Sequence, residues 1–318
     1  MKKVLMVGLA CLDIVNVSDG FPAEDTDVRL KEQIWSRGGN ASNSAVVLSQ
    51  LGTHTAFMGT LAKHRLSDLI VDDLIKYGVS SDLCRYHKDT MTPTSCVILN
   101  TAEGTRTILH ANKTLPELCV EDFMKADLCN YQWIHFEGRN NVSQILLMIE
   151  NVEKFNKELL SASSSASAST NSCSQTPAPR PITVSVELEK ATRVLHLLDL
   201  LDKGHVVFIS KDVAKHKGYN TAEAAVKGFH SQCDTTCTII CAWGEHGACA
   251  IGPDGIVVSS PAFPPAKLVD TLGAGDTFNA AVIHALNKGD MSLLEAITFG
   301  CKIAGKKCGQ HGFDLTMQ

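Results

Sequence analysis

The order of apolar segments predicts an α/β fold: a largely parallel sheet covered by helices on both faces, with a small β lid. Three observations lead there. Short apolar runs of strand length alternate with longer stretches of helical period. The short runs are apolar throughout, as in strands buried on both faces, whereas two other segments alternate apolar and polar residues as antiparallel strands do. The chain has 318 residues, 44% of them hydrophobic, enough to bury a large core as one domain with an appendage.

Val4 to Leu9 predicts the first buried strand, ending in a turn over Gly8 to Asp13. Met1-Lys2-Lys3 ahead of it imitates a signal peptide, and Leu9-Ala10-Cys11 a lipoprotein cleavage site. The apolar run is too short for either, and Asp13 interrupts it. No other run approaches membrane-spanning length, so a cytoplasmic enzyme with no membrane partner is expected. Val28 to Trp35 alternates along an antiparallel strand. Ala45 to Leu51 is helical, Thr55 to Met58 a strand and Leu69 to Tyr77 a helix. Ser95 to Leu99 and Thr105 to Leu109 form a hairpin whose turn, Thr101 to Gly104, places a glycine where positive φ is usual. Such strands fit poorly in a parallel sheet; they form a lid, or else an extra edge hairpin on the main sheet.

Further along, Trp133 to Phe136 is a strand, Ile145 to Leu160 a helix, and Thr183 to Val186, Val206 to Ile209 and Thr238 to Trp243 are strands. Helices near Ala280 to Leu286 and from Leu293 to Lys307 close the chain. Ser161 to Pro181 is small, polar and proline-terminated, a flexible insertion that buries too little apolar surface to order itself. The predicted division is an α/β domain of residues 1–12, 37–90 and 112–318, with 161–181 as the insertion, and a β lid of 13–36 and 91–111.

Composition narrows the function. A net charge of -5 without a basic block argues against a nucleic-acid surface, while single arginines and backbone amides still suit small anions. The 12 cysteines are scattered among apolar neighbours, and the spacing of Cys233, Cys237 and Cys241 is not a zinc pattern, so reduced, mostly buried thiols and no protein-held metal are expected.

The most informative stretch is Asp270-Thr271-Leu272-Gly273-Ala274-Gly275-Asp276. Two glycines permit a tight turn whose following helix-start amides point at negative charge, with a carboxylate beside them. The same letters also read as an ordinary turn with Asp276 as a helix cap. Arg37-Gly38-Gly39-Asn40-Ala41-Ser42-Asn43 precedes the first helix. Asn40 and Asn43 suit a polyhydroxylated ligand, or Asn40 and Ser42 merely cap that helix. Asp13, just past the first strand, adds an acceptor at the carboxyl edge of the sheet, where open α/β sheets bind ligands.

These two glycine motifs resemble the two signatures of the ribokinase (PfkB-type) family of carbohydrate kinases. Arg37 to Ser44, Trp133 to Asn140, Ser210 to Lys215, Phe263 to Pro265 and Phe299 to Phe313 are similar to members of that family that phosphorylate ketohexoses. The similarity covers nearly the whole chain outside the insertion. It implies a ribokinase-like three-layer domain with a β lid, and transfer of phosphate from ATP to a ketose such as fructose. By the same resemblance Asp13, Gly39, Asn40 and Asn43 hold the sugar, and Asp276 is the general base. The amides of Gly273, Ala274 and Gly275 form the anion hole and Arg106 reaches the nucleotide phosphates. Gly244, Glu245, His246, Gly247 and Cys301 border the nucleotide. Magnesium held mainly through ATP, a potassium requirement and a homodimer joined through the lids are also implied.

Where many relatives carry an Asn-x-x-Glu motif this chain has Ser210 to Ala214, so Glu187 or Lys211 is expected to substitute around magnesium. Arg139 either touches phosphate or pairs with Glu137. Asp25 either reaches a partner's site or belongs, with Glu24, to a solvated turn. His64 is expected to be a plain surface residue. Two other readings stay open: a ribokinase-type kinase for ribose, another sugar or a nucleoside, and a non-catalytic sugar or nucleotide sensor.

Overall fold

Val4, Leu5 and Met6 are fully buried, and successive residues of this strand face opposite cores: Leu5 and Val7 pack into one hydrophobic cluster, Val4 and Met6 into another. That is the mark of a sheet covered on both faces. The computed structural model describes residues 2–103, 105–167, 180–233 and 236–315.

In chain order the first part runs β1 (Lys3–Val7), β2 (Cys11–Ser18), β3 (Glu32–Gly38), α1 (Asn40–Gln50), β4 (Thr55–Met58), β5 (Thr60–Ala62), α2 (Arg65–Lys76), β6 (Arg85–His87), β7 (Thr94–Asn100), β8 (Thr105–Ala111) and α3 (Val120–Phe123). The second part runs β9 (Tyr131–Glu137), α4 (Val142–Ser167), β10 (Thr183–Leu188), α5 (Val194–Leu197), β11 (Val206–Ile209), α6 (Lys211–His216), α7 (Ala222–His230), β12 (Thr238–Ala242), β13 (Ala248–Ile251), β14 (Val257–Ser260), α8 (Ala274–Lys288) and α9 (Leu293–Cys308).

The main sheet has 8 strands in the order β14-β13-β12-β11-β10-β9-β1-β4, parallel from β12 to β4 and antiparallel at β13 and β14. Buried residues of α1, α2, α8 and α9 join one core, those of α4, α6 and α7 the other. A separate sheet of 4 strands, β3-β2-β7-β8, carries the hairpin. The edge-hairpin alternative is thereby set aside.

Several expectations change. The turn after β1 is shorter than predicted, so Asp13 stands within β2 and not in a loop. β3 begins at Glu32, because the segment from Val28 to Lys31 makes no ladder. α1 begins at Asn40: its N-cap is Gly39, at φ 98°, with no side-chain cap, so neither Asn40 nor Ser42 caps it. β13 and β14 carry too few residues for a readable period. Within the segment expected to be a flexible insertion, residues 161–167 continue α4, and 168–179 lie outside the described residues, as does Gly104. His64 is exposed yet structurally engaged, since its ring accepts a hydrogen bond from Leu66 N and caps α2.

Candidate active site

α8 opens at the carboxyl edge of the main sheet. Gly273 is its N-cap in the left-handed region, at φ 74°, and the ring of Phe313 occupies the space a Cβ there would need. A glycine is required at this turn on both counts. Asp276 therefore lies in the first turn of the helix and is not its cap. Its Oδ2 accepts a hydrogen bond of 2.7 Å from Asn43 Nδ2, and its carbonyl accepts one of 3.0 Å from Ser44 Oγ. These bonds lock the start of α1 to the start of α8.

The anion loop is only partly as expected. A Cβ on Gly275 would meet open space, which leaves its surface free for a ligand. Ala274 N, in contrast, donates to Thr271 O at 3.3 Å, a long bond that a stronger acceptor has to displace. Arg106 crosses from β8 to this loop, its Nη1 donating to Thr271 Oγ1 at 2.7 Å.

Strand register explains how the lid serves the site. Asp13 pairs with Ser95 and Ser95 with His110, while Val17 pairs with Leu99 and Leu99 with Arg106. The residues involved are even steps apart along each strand, so Asp13 and Arg106 share one face of the sheet. Asp13 lies directly over Gly38, where a Cβ would strike its carboxylate, and accepts from the Cys11 thiol at 3.4 Å. Burial raises its pKa, with Ser95 and Cys11 hydrogen bonds opposing.

Asn40 departs from the expected arrangement. Its Nδ2 donates to Glu187 Oε2 at 3.1 Å and Glu189 Oε2 at 2.8 Å. Glu187 also accepts from Asn279 Nδ2 at 2.7 Å. Glu137 takes the amides of Leu9 and Ala41 at 2.9 and 3.1 Å, and so caps the first turn of α1 from another strand. Arg139 pairs with Glu137 and Glu117 at 3.2 and 2.8 Å, the ion-pair reading of that residue. Arg37 holds the other side of Asn43, donating 2.7 Å to its Oδ1, and ion-pairs with Asp73 at 2.8 Å. Asn279, Glu137 and Arg37 were not singled out by sequence as site residues. A charge ending a buried strand, as Glu137 and Glu187 do, is the signal that finds two of this network.

The electrostatics follow from crowding acids in a dry place. Burial pushes the Asp276 carboxyl up to about 7; the Asn43 hydrogen bond pulls it back, and Glu189 and Glu137 add repulsion. Glu187 is raised well above the usual carboxylate range by burial and then by Glu189 and Asp276. A carboxyl near neutrality beside a glycine-lined anion site is suited to accept a proton from an attacking hydroxyl.

Gly244 to Gly247 form an exposed turn after β12, with Glu245 paired to Lys211 at 2.9 Å, so Lys211 is engaged there. Gly247 packs against the Ser260 carbonyl, and the Ser260 hydroxyl hydrogen-bonds the buried Cys301 thiol on α9. These residues thus form one patch along β12 to β14. A cleft of about 560 Å³ bordered by Trp133, Thr183, His205 and Leu293 opens at the opposite, amino-terminal edge of the sheet, away from all of these groups. No helix among the described residues is long and apolar enough to cross a membrane.

Comparison with known proteins agrees with this geometry. Mouse (Mus musculus) ketohexokinase is 47% identical over 313 residues, covering 98% of each chain. The Arabidopsis thaliana ribokinase solved with ribose and ATP superposes with a TM-score of 0.73 at 20% identity, over 98% of this chain and 94% of that one. The nucleoside kinase of Methanocaldococcus jannaschii gives 0.73 at 16%, over 99% and 94%. The model of the pfkB family of carbohydrate kinases matches residues 1–318, and with a lid sheet over an anion loop and a buried carboxylate, the chain belongs to that family.

Proposed function

We propose that this carbohydrate kinase transfers the γ-phosphoryl group of ATP to the primary 1-hydroxyl of fructose, giving fructose 1-phosphate and ADP. The full-length likeness to a ketohexokinase supports the acceptor. The carrying observation for the mechanism is Asp276, buried, raised to about 7 and fixed by Asn43 at the mouth of the anion loop.

In the proposed step Asp276 removes the proton as the hydroxyl oxygen bonds to phosphorus and the bond from phosphorus to the β,γ-bridging oxygen breaks in line. The amides of Gly273 and Gly275, and that of Ala274 once released from Thr271, take the charge of the equatorial oxygens with Arg106. Asp13, Gly39, Asn40 and Asn43 hold the ketose; for Asn40 this requires turning from Glu187 and Glu189. Gly244 to Gly247 and Cys301 border the nucleotide. Magnesium arrives with ATP and neutralises phosphate charge; Glu187 and Glu189, whose one ion-pair partner among the described residues is Lys190 on Glu189, are the acids suited to its water shell. Potassium beside the loop belongs to the proposal, as does action in the cytoplasm.

The lids are proposed to join two copies. Trp35, Ile14, Cys96 and Leu109 form one row across β3-β2-β7-β8 on the face opposite Asp13, with Trp35 and Leu109 51% and 57% exposed. An apolar row of this kind on a solvent-facing sheet suits a second copy. The segments of residues 13–36 and 91–111 are proposed to act as this lid.

ADP release assayed over fructose, other ketoses, ribose and nucleosides tests the assignment. Fructose is expected to give the highest kcat/KM; a higher value with ribose or adenosine would transfer the chain to another branch of the family.

A further inference from the structure

Lys307, on α9, is 0% exposed. A lysine is almost never buried so completely unless it is paired, because taking the ammonium out of water costs several kcal/mol (order of magnitude). Here the pairing is with the first residue of the anion loop. Nζ donates to Asp270 Oδ2 at 2.7 Å and to the Asp270 carbonyl at 3.1 Å. The other carboxylate oxygen accepts from Leu272 N at 2.8 Å, and Oδ2 also receives Gly312 N at 3.3 Å. The ammonium lies 5.4 Å from the centroid of the Phe313 ring, the ring that fills the space at Gly273.

One positive charge thus fixes both ends of the turn: Asp270 directly, and Gly273 through Phe313. We propose that Lys307 is a positioning residue whose ammonium acts as a built-in monovalent cation, clamping Asp270 so that the Gly273 and Gly275 amides face the transferred phosphoryl group. Removing it leaves a buried carboxylate without a counter-charge and frees the loop. A potassium ion near this loop has to use oxygens other than Asp270 Oδ2. The proposal rests on the kinase reading, but its test has a part that needs no turnover.

Lys307→Ala leaves room for a small alkylammonium. Its kcat is expected to fall about 100-fold, the size of a lost anion-hole donor, while KM for fructose moves less than about threefold. Ethylammonium is expected to restore about tenfold of that loss in a saturable manner, and not in Lys307→Ala/Asp270→Asn. Calorimetric binding of the ATP analogue AMP-PNP is expected to weaken about tenfold in Lys307→Ala. Wild-type kcat and AMP-PNP affinity in the folded variant overturn the proposal; a loss of kcat that ethylammonium leaves unchanged makes Lys307 merely structural and also overturns it. Should Lys307→Ala not fold, the uncharged pair Lys307→Met/Asp270→Asn is read instead, and wild-type kcat there overturns the proposal. Absence of turnover with any acceptor in the wild-type chain sinks the kinase reading and leaves the AMP-PNP comparison standing.

Discussion

The floor and the roof of the site are built on different principles. On the floor, the starts of α1 and α8 are buried and their polar groups are tied to one another: Asn43 to Asp276 and Arg37, Glu187 to Asn40 and Asn279, Glu137 to the amides of α1. On the roof, Arg106 reaches the anion loop through one exposed hydrogen bond, and the outer row of the lid sheet faces solvent. Breaking a floor contact strands a buried charge, which costs about 3–5 kcal/mol. Letting go of a single exposed contact costs about 1 kcal/mol. The chemistry is therefore held rigidly while the cover is free to open and close, as a kinase that must shut out water requires.

Substitution at Asp276 breaks the floor at the chemistry itself. Asp276→Asn is expected to lower kcat by about 10³-fold, within the range for a general base, with fructose binding retained; a wild-type rate in a folded variant would exclude Asp276 as the base. The pH profile sharpens the same point. Because burial holds the carboxyl near 7, activity is expected to climb about tenfold per pH unit below that value and level off above it. The stability effect has the opposite sign. The native state keeps the proton between the ordinary value of 3.8 and about 7, so the contribution of Asp276 to stability is present at low pH and declines as pH rises through that window. Asp276→Asn removes this loss, and its melting temperature above neutrality is expected to equal or exceed that of the wild type.

Arg106→Ala tests the roof. It is expected to reduce kcat/KM for ATP about 10- to 100-fold, the range for a residue that supports a site from outside it, and to leave the melting temperature within about 1 °C. A large drop in stability would mean that lid and floor form one rigid unit. The smallest catalytic effect is expected from Trp35→Ser/Leu109→Ser. Sedimentation should report monomer in place of dimer, with kcat within about threefold of wild type; an unchanged sedimentation coefficient would reject this face as the contact between copies.

Legibility in the sequence follows the same division. β1, β9 and β11 are readable because strands buried on both faces are apolar without interruption. β2 is not, since Asp13, Asn16 and Ser18 break its run, and they do so because partners in other strands or the site itself receive them. The start of α1 is hidden for a related reason. Asn40, Ser42 and Asn43 look like capping residues locally, but their hydrogen bonds go to Glu187, Arg37 and Asp276, set by tertiary structure. Of the site, the two glycine motifs and their asparagines and Asp276 were legible as letters. The acids surrounding Asp276 were less so, and Lys307 gave no local signal: a lysine near a helix end reads as surface, and its partner Asp270 precedes it by a whole helical hairpin.

The seat of Phe313 has a consequence for the making of the protein. Its ring lies between Arg37, 5.5 Å from the centroid, and Lys307, while its carbonyl is held by Gln50 Nε2. Arg37, Gln50 and Gly273 all leave the ribosome before the residue that wedges them into place. A nascent chain can complete its parallel sheet and still lack a set phosphate loop, so catalytic competence arrives late in synthesis, and a nonsense codon shortly before Phe313 is expected to yield folded but idle protein.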